Sequence, residues 1–217
     1  MFTTGYEITT AATNVFNAVV TVIFGWKLYR DIKPNERKAL WGIVFILFFI
    51  VCVLGFVIHG VQITPEVKDL LWNILFFILV LMMASFVAAI VYETDGLSKA
   101  KQTAVPALLL GAVYLILRLT IPAVKQMRFT AFSIYAIVLL VYAIIKLVAV
   151  RKEKPYVKNF LYGIICLVVG SLAQTMKFIK FHFIYDFNYN SVYHLFTLFL
   201  LLFVYKGLKE TQKYPNS

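Results

Sequence analysis

The 217 residues are 62% hydrophobic and 14% charged, with a mean hydropathy of +0.85. A soluble domain carries about 25% charged residues, so this composition excludes one and indicates an integral membrane protein. The formal net charge of +11 implies no nucleic-acid partner, because the basic residues fall in short bursts between apolar runs, where they set orientation and meet lipid head groups.

Seven apolar runs follow one another at roughly 10–29, 39–61, 70–92, 104–124, 129–150, 157–178 and 192–209. Each is near the length a helix needs to cross a bilayer, and backbone groups in lipid must be satisfied within their own segment. The expected fold is therefore all-α, a polytopic membrane protein of seven transmembrane helices in a single domain over 1–217. The N-terminal stretch, Met1 to Asn14, has no basic n-region and no small-residue cleavage site, which predicts a retained first span. In the second run Phe45 to Phe49 is expected to face lipid. Cys52 and Cys166 lie in mid-run, where an unpaired thiol serves as a small hydrophobe. Gly96 to Thr103 is the nearest thing to a linker. The fourth run, with Pro106, Arg118 and Pro122, departs furthest from a plain span. The seventh opens in a polar, aromatic head from Asp186 to His194 and closes in Lys206-Gly207-Leu208-Lys209.

With the N-terminus outside, the inner segments hold fifteen basic residues, and the outer ones hold five: Lys68, Lys125, Arg128, Lys177 and Lys180. That asymmetry predicts N-terminus out and C-terminus in, with the inner bursts on anionic lipid head groups.

An offset of 121 places Arg30–Ile43 under Arg151–Ile164, where Arg30, Lys33, Pro34, Leu40, Gly42 and Ile43 meet identical residues, six of fourteen. The same offset sets Asp69 against Asn190, Trp72 against Tyr193 and Asn73 against His194. Helices one to three are then related to five to seven in a 3+1+3 parallel pseudo-repeat, as in some transporters. Independent selection of basic residues, proline and an aromatic after a span is the alternative origin of these matches.

Polar side chains within spans are costly and mark candidate sites. The topology gathers them on the outer side: Asn14, Asn17, His59, Asn73, Arg118, Gln174, Asn190 and His194, with His182 and the acids Glu7, Glu66, Asp69 and Asp186 nearby. The inner halves offer little beyond Ser85 and small residues. The expected pocket opens outward and is ringed by His59, Asn73 and His194. Each member has a plainer role: interfacial belt for the histidines, helix glue for the asparagines, and outward snorkelling past Pro122 for Arg118, in preference to a counter-charge for Asp69 or Glu66.

The chain resembles the CREST superfamily of alkaline ceramidases and progestin/adiponectin receptors, through His59 near the end of helix two, Asp69 at the start of helix three and His194 at the start of helix seven. It is also similar to small bacterial seven-helix proteins with His-Gly in helix two, here His59-Gly60, and Asn-x-Asn-x-x-x-His before helix seven, here Asn188 to His194. The CREST resemblance implies a zinc that activates water for hydrolysis of a lipid amide or ester, with His59 and His194 as ligands, His182 as a third only if its loop folds back, and Asp69 as orienting acid or base. The motif is incomplete: Gly55 stands at the family's serine position, Asn190 and Leu198 flank His194 where a second histidine belongs, and two histidines fall one short of a catalytic zinc set. The 3+1+3 arrangement is similar to the sugar-transporting SWEET family, which implies a small-solute carrier instead. A receptor-like component that binds a lipid or small molecule is the third reading. A multi-pass protein of the plasma membrane, or of the inner membrane in a bacterium, is expected in each case.

Overall fold

The computed structural model describes residues 2–3, 5–31, 35–127 and 129–213. Lys33 and Pro34 of the repeated loop, and Arg128 of the outer basic set, lie outside them. Eight helices and one small hairpin follow in order: α1 (Tyr6–Asp31), α2 (Glu36–Gly60), α3 (Pro65–Asp95), α4 (Leu97–Thr120), α5 (Pro122–Met127), α6 (Phe129–Val150), α7 (Val157–Thr175), β1 (Lys180–His182), β2 (Asp186–Asn188) and α8 (Tyr189–Thr211). All but α5 are long and apolar enough to cross a bilayer. The chain is a seven-span, all-α integral membrane protein.

Local chemistry sets the ends of these helices. The Asn35 side chain accepts from the Lys38 amide at 3.0 Å and opens α2. Thr64 caps α3 directly before Pro65, whose missing N–H costs nothing in a first turn. Asn188 starts α8 through a reciprocal box: its side chain accepts from the Asn190 and Ser191 amides while the Ser191 hydroxyl accepts from the Asn188 amide. Gly96, at φ +86°, is the single hinge between α3 and α4. The expected linker over Gly96 to Thr103 is thus helical from Leu97 onward, because Ser98, Lys99 and Gln102 are tolerated in a helix that projects beyond lipid. The expected fourth span, 104–124, ends instead at Thr120, and Pro122 opens the separate helix α5.

Helices adjacent in sequence are adjacent in space, and α8 returns to α1, closing a ring of α1, α2, α3, α6, α7 and α8 with α4 set outside against α3. One face of the ring carries the starts of α1, α3, α6 and α8 and is here termed the N-terminal face. Under the 121-residue offset the two seams that join the halves, α3 to α6 and α8 to α1, are counterparts. Asn14 bonds across one seam to α8, and position 135, which is 14 plus 121, bonds across the other: the Tyr135 hydroxyl on α6 reaches Val80 O on α3 at 3.2 Å, and also Ala107 O on α4 at 3.3 Å.

The core is an aromatic and aliphatic filling inside the ring, centred on α3, with Trp41, Phe76, Phe160 and Ile164 fully enclosed. Phe45 and Phe48 belong to it, at 6% and 8% exposure. The expectation that Phe45 to Phe49 faces lipid therefore holds only for such residues as Ile46 and Phe49; a helix in a ring turns part of every apolar run inward. The outward surface carries Val19, Ile46, Leu109, Ile145 and Leu172, all exposed.

Candidate functional site at the N-terminal face

A cavity of about 170 Å³ lies at the N-terminal end of the ring and takes residues from both halves: Glu7, His59, Lys68 and Trp72 from α1 to α3, and Phe129, Ser133, Gln174 and Asn190 from α6 to α8. Of the residues expected at an outward pocket, His59, Gln174 and Asn190 line this cavity, whereas Asn73 and His194, expected to ring it with His59, are not among its lining residues. Its other members were not singled out as site residues, although Glu7 was placed on this side and Trp72 was matched to Tyr193 by the repeat.

His59 ends α2 and is mostly buried. Its Nδ1 lies 2.7 Å from Glu7 Oε2, and its ring stands edge-on to Trp72 with centroids 5.7 Å apart. The Thr3 hydroxyl donates to His59 O at 2.6 Å, so Thr3 latches onto the same turn. The acid beside His59 is therefore Glu7 rather than Asp69. Across the cavity the Gln174 amide donates to Asn190 Oδ1 at 3.3 Å, joining α7 to α8. Trp72 and Phe129 meet edge-to-face at 5.6 Å and supply an apolar wall.

His194 sits at the α1/α8 seam. The Asn14 side-chain amide donates to Thr10 O at 3.0 Å and to His194 Nε2 at 3.1 Å, and the Asn17 amide donates to His194 O at 2.9 Å and Thr197 Oγ1 at 2.8 Å. The helix-glue role fits both asparagines. Asn17 Oδ1 is buried without a hydrogen-bond partner among the described residues.

Three further residues stand apart from the expected arrangement. Asp69 pairs with Lys125 at 2.8 Å, both about half exposed, and does not orient either histidine. His182 lies on β1, where its Nδ1 is 2.9 Å from Asp186 Oδ1; the loop expected there is an antiparallel hairpin pairing Lys180 with Asn188. Arg118 does not snorkel. It is 3% exposed, with its guanidinium 4.1 Å from the Phe76 ring centre, and it donates to Asn73 Oδ1 at 3.3 Å and to Lys125 O at 3.4 Å. The guanidinium is a donor only, and two acceptor oxygens and an aromatic face lie within its reach inside the bundle.

Among the described residues no three His, Cys, Asp or Glu side chains gather closely enough to hold a metal ion. The ligand set His59, His194 and His182 implied by the resemblance is not assembled: His59 is engaged by Glu7, His194 by Asn14 and His182 by Asp186. The residues present do not fit a catalytic zinc.

The opposite end of the ring is closed. Glu93, fully buried near the end of α3, accepts from Arg37 Nε at 3.0 Å and Trp41 Nε1 at 3.0 Å, while Lys154 Nζ donates to its backbone carbonyl at 3.0 Å. Trp41 stacks on Phe160 at 5.3 Å, tying α2 to α7 beneath the same cluster. The expectation that this side offers little polarity missed Glu93, because it falls one residue past the apolar run.

Residues 9–213 match one family model, described as a family of unknown function (DUF6962). No curated protein and no solved structure matches the chain.

Proposed function

We propose, from the premise that the chain belongs to the DUF6962 family, that this membrane protein is a small-solute carrier, held here in a form whose solute cavity opens at the N-terminal face. The observation that carries this reading is the placement of the cavity between the two halves of the ring, open at one end while the Arg37–Glu93–Trp41 cluster closes the other. A carrier built from parallel repeats works by moving one half against the other around a shared site. The counterpart seams, bonded by Asn14 and Tyr135, are where that motion would occur. The basic asymmetry supports an outward N-terminal face, with the Lys- and Arg-rich face on anionic lipids of the plasma membrane, or of the inner membrane in a bacterium.

A CREST-like hydrolase is supported less well, since two separately engaged histidines give zinc too few donors. A receptor-like component shares the cavity and differs in having no second opening. Cysteine accessibility separates it from the carrier. In a chain carrying Cys52→Ala and Cys166→Ala, Ser133→Cys reports on the cavity and Val44→Cys on the apolar interior beneath it, where Val44 lies beside Met83 and Leu201. A carrier gives labelling of Ser133→Cys by an impermeant maleimide from the N-terminal face and of Val44→Cys from the opposite face. Labelling of Ser133→Cys alone, with Val44→Cys inert from both sides, would assign the protein to the receptor-like class.

A further inference from the structure

The chemistry of the cavity wall narrows what it can hold. Lys68 and Lys177 both line it, and among the described residues neither stands within ion-pair distance of a carboxylate. Glu7 is the one acid among the described residues lining it, and His59 engages it at 2.7 Å. Other lysines near this face are engaged elsewhere: Lys125 is neutralised by Asp69 and Lys180 lies over the Tyr6 ring. The wall also carries hydroxyl and amide groups, Thr130 and Gln126 among them, and the apolar rings of Trp72 and Phe129, which touch each other.

We infer that the cavity takes a small organic anion with an apolar body, its charge met by Lys68 and Lys177 and its body by Trp72 and Phe129. A cation would face two ammonium groups against a carboxylate already engaged. A neutral solute would leave the charge of both ammonium groups unused, and charge complementarity is what separates these solutes at such a wall. The volume of about 170 Å³ falls below the roughly 300 Å³ at which sites for drug-sized ligands begin, which sets the solute at the scale of a single ring or short chain. This identification rests on the cavity being the solute site of the proposed carrier.

The test uses the full chain with Cys52→Ala, Cys166→Ala and Ser133→Cys, and measures the rate of maleimide labelling with three probes of one frame: phenylacetate, 2-phenylethanol and phenethylamine. Ser133 is a suitable reporter because its hydroxyl is committed to Phe129 O within α6 at 2.8 Å. Phenylacetate is expected to slow labelling in a saturable manner, and the alcohol and the amine are not. The double variant Lys68→Gln/Lys177→Gln loses that protection, while Lys180→Gln keeps it. Equal protection by the amine or alcohol, protection by the acid that survives the double variant, or no protection by the acid would each overturn the anion assignment. A cysteine at 133 that does not react even without a probe would instead show that the cavity is not open, and would remove the carrier reading together with the inference built on it.

Discussion

Gly55 on α2 and Asn14 on α1 approach so closely that a methyl group at position 55 would stand 2.6 Å from Asn14 Oδ1. The absent Cβ leaves room for the Asn14 amide, whose two hydrogens are spent on Thr10 O and His194 Nε2. His194 therefore accepts at Nε2 and carries its proton on Nδ1. The glycine that departs from the CREST serine pattern thus has its own packing reason. Gly55→Ala must displace Asn14, with an expected loss of about 1–3 kcal/mol. In the Asn14→Ala background most of that loss should vanish, because the clash and the bond disappear together. Unfolding of the four members of this cycle in detergent measures the coupling; strictly additive costs would show that the two residues act apart.

The Glu93 cluster gives an asymmetric prediction. The Glu93 side chain has no exposure and that of Arg37 has 16%. Arg37→Ala leaves a buried carboxylate without its counter-charge, a change that costs about 3–5 kcal/mol. Glu93→Gln removes the buried charge while leaving an oxygen to accept from Trp41, so its cost should be clearly the smaller. Thermal unfolding of the two variants side by side checks the order. The reverse order would mean that the Glu93 carboxylate, through its bonds to Arg37 and Trp41, stabilises the cluster by more than its burial costs.

What could be read from the sequence divides along physical lines. The seven spans were legible because length and apolarity are the direct demand of lipid, and the sixth helix keeps its expected bounds, 129–150. Glu93 was not legible because α3, at 31 residues, extends about 46 Å at 1.5 Å per residue, well past a hydrocarbon core of about 30 Å. A residue just past the apolar run reads as loop although it is helical and enclosed. The hairpin was hidden because Lys180–His182 and Asp186–Asn188 are three residues each and mix charge with aromatics, a composition shared with an interfacial belt. The counterpart positions 14 and 135 escaped a search for identity because asparagine and tyrosine look unlike. Their common feature is a hydrogen bond across equivalent seams, visible only when the ring is closed. The site was legible as a location, through His59, Gln174 and Asn190, but its lysines were not, since a basic residue at a helix end reads first as an orientation signal.

Asp69 offers a direct check on the difference between its expected and observed surroundings. Its ion pair with Lys125 is about half exposed on both sides, and such pairs contribute on the order of 0–1 kcal/mol. Asp69→Asn should therefore leave stability within about 1 kcal/mol of the parent and leave the labelling of Ser133→Cys unaltered. If Asp69→Asn instead abolished cavity labelling or protection, the acid would have to act on the site through a rearrangement absent from this structure.

Arg118 supplies the sharpest distinction between two placements of one side chain. A snorkelling arginine holds its charge in water, and lysine replaces it with little change. The observed arginine is 3% exposed, stacks over Phe76 at 4.1 Å and divides its donors between Asn73 Oδ1 and Lys125 O. A planar fork can meet a ring face and two separate acceptors together; an ammonium, compact and strongly hydrated, cannot do so without paying more in desolvation. Arg118→Lys should thus destabilise by about 1–2 kcal/mol, and Arg118→Ala by more, since it also opens a cavity against Phe76. Phe76→Leu removes the ring face and should shrink the gap between arginine and lysine at position 118. Thermal unfolding of these single and double variants decides the matter: equal stability of the parent and Arg118→Lys would place the charge back in water, whereas a gap that narrows in the Phe76→Leu background assigns it to the aromatic face inside the bundle.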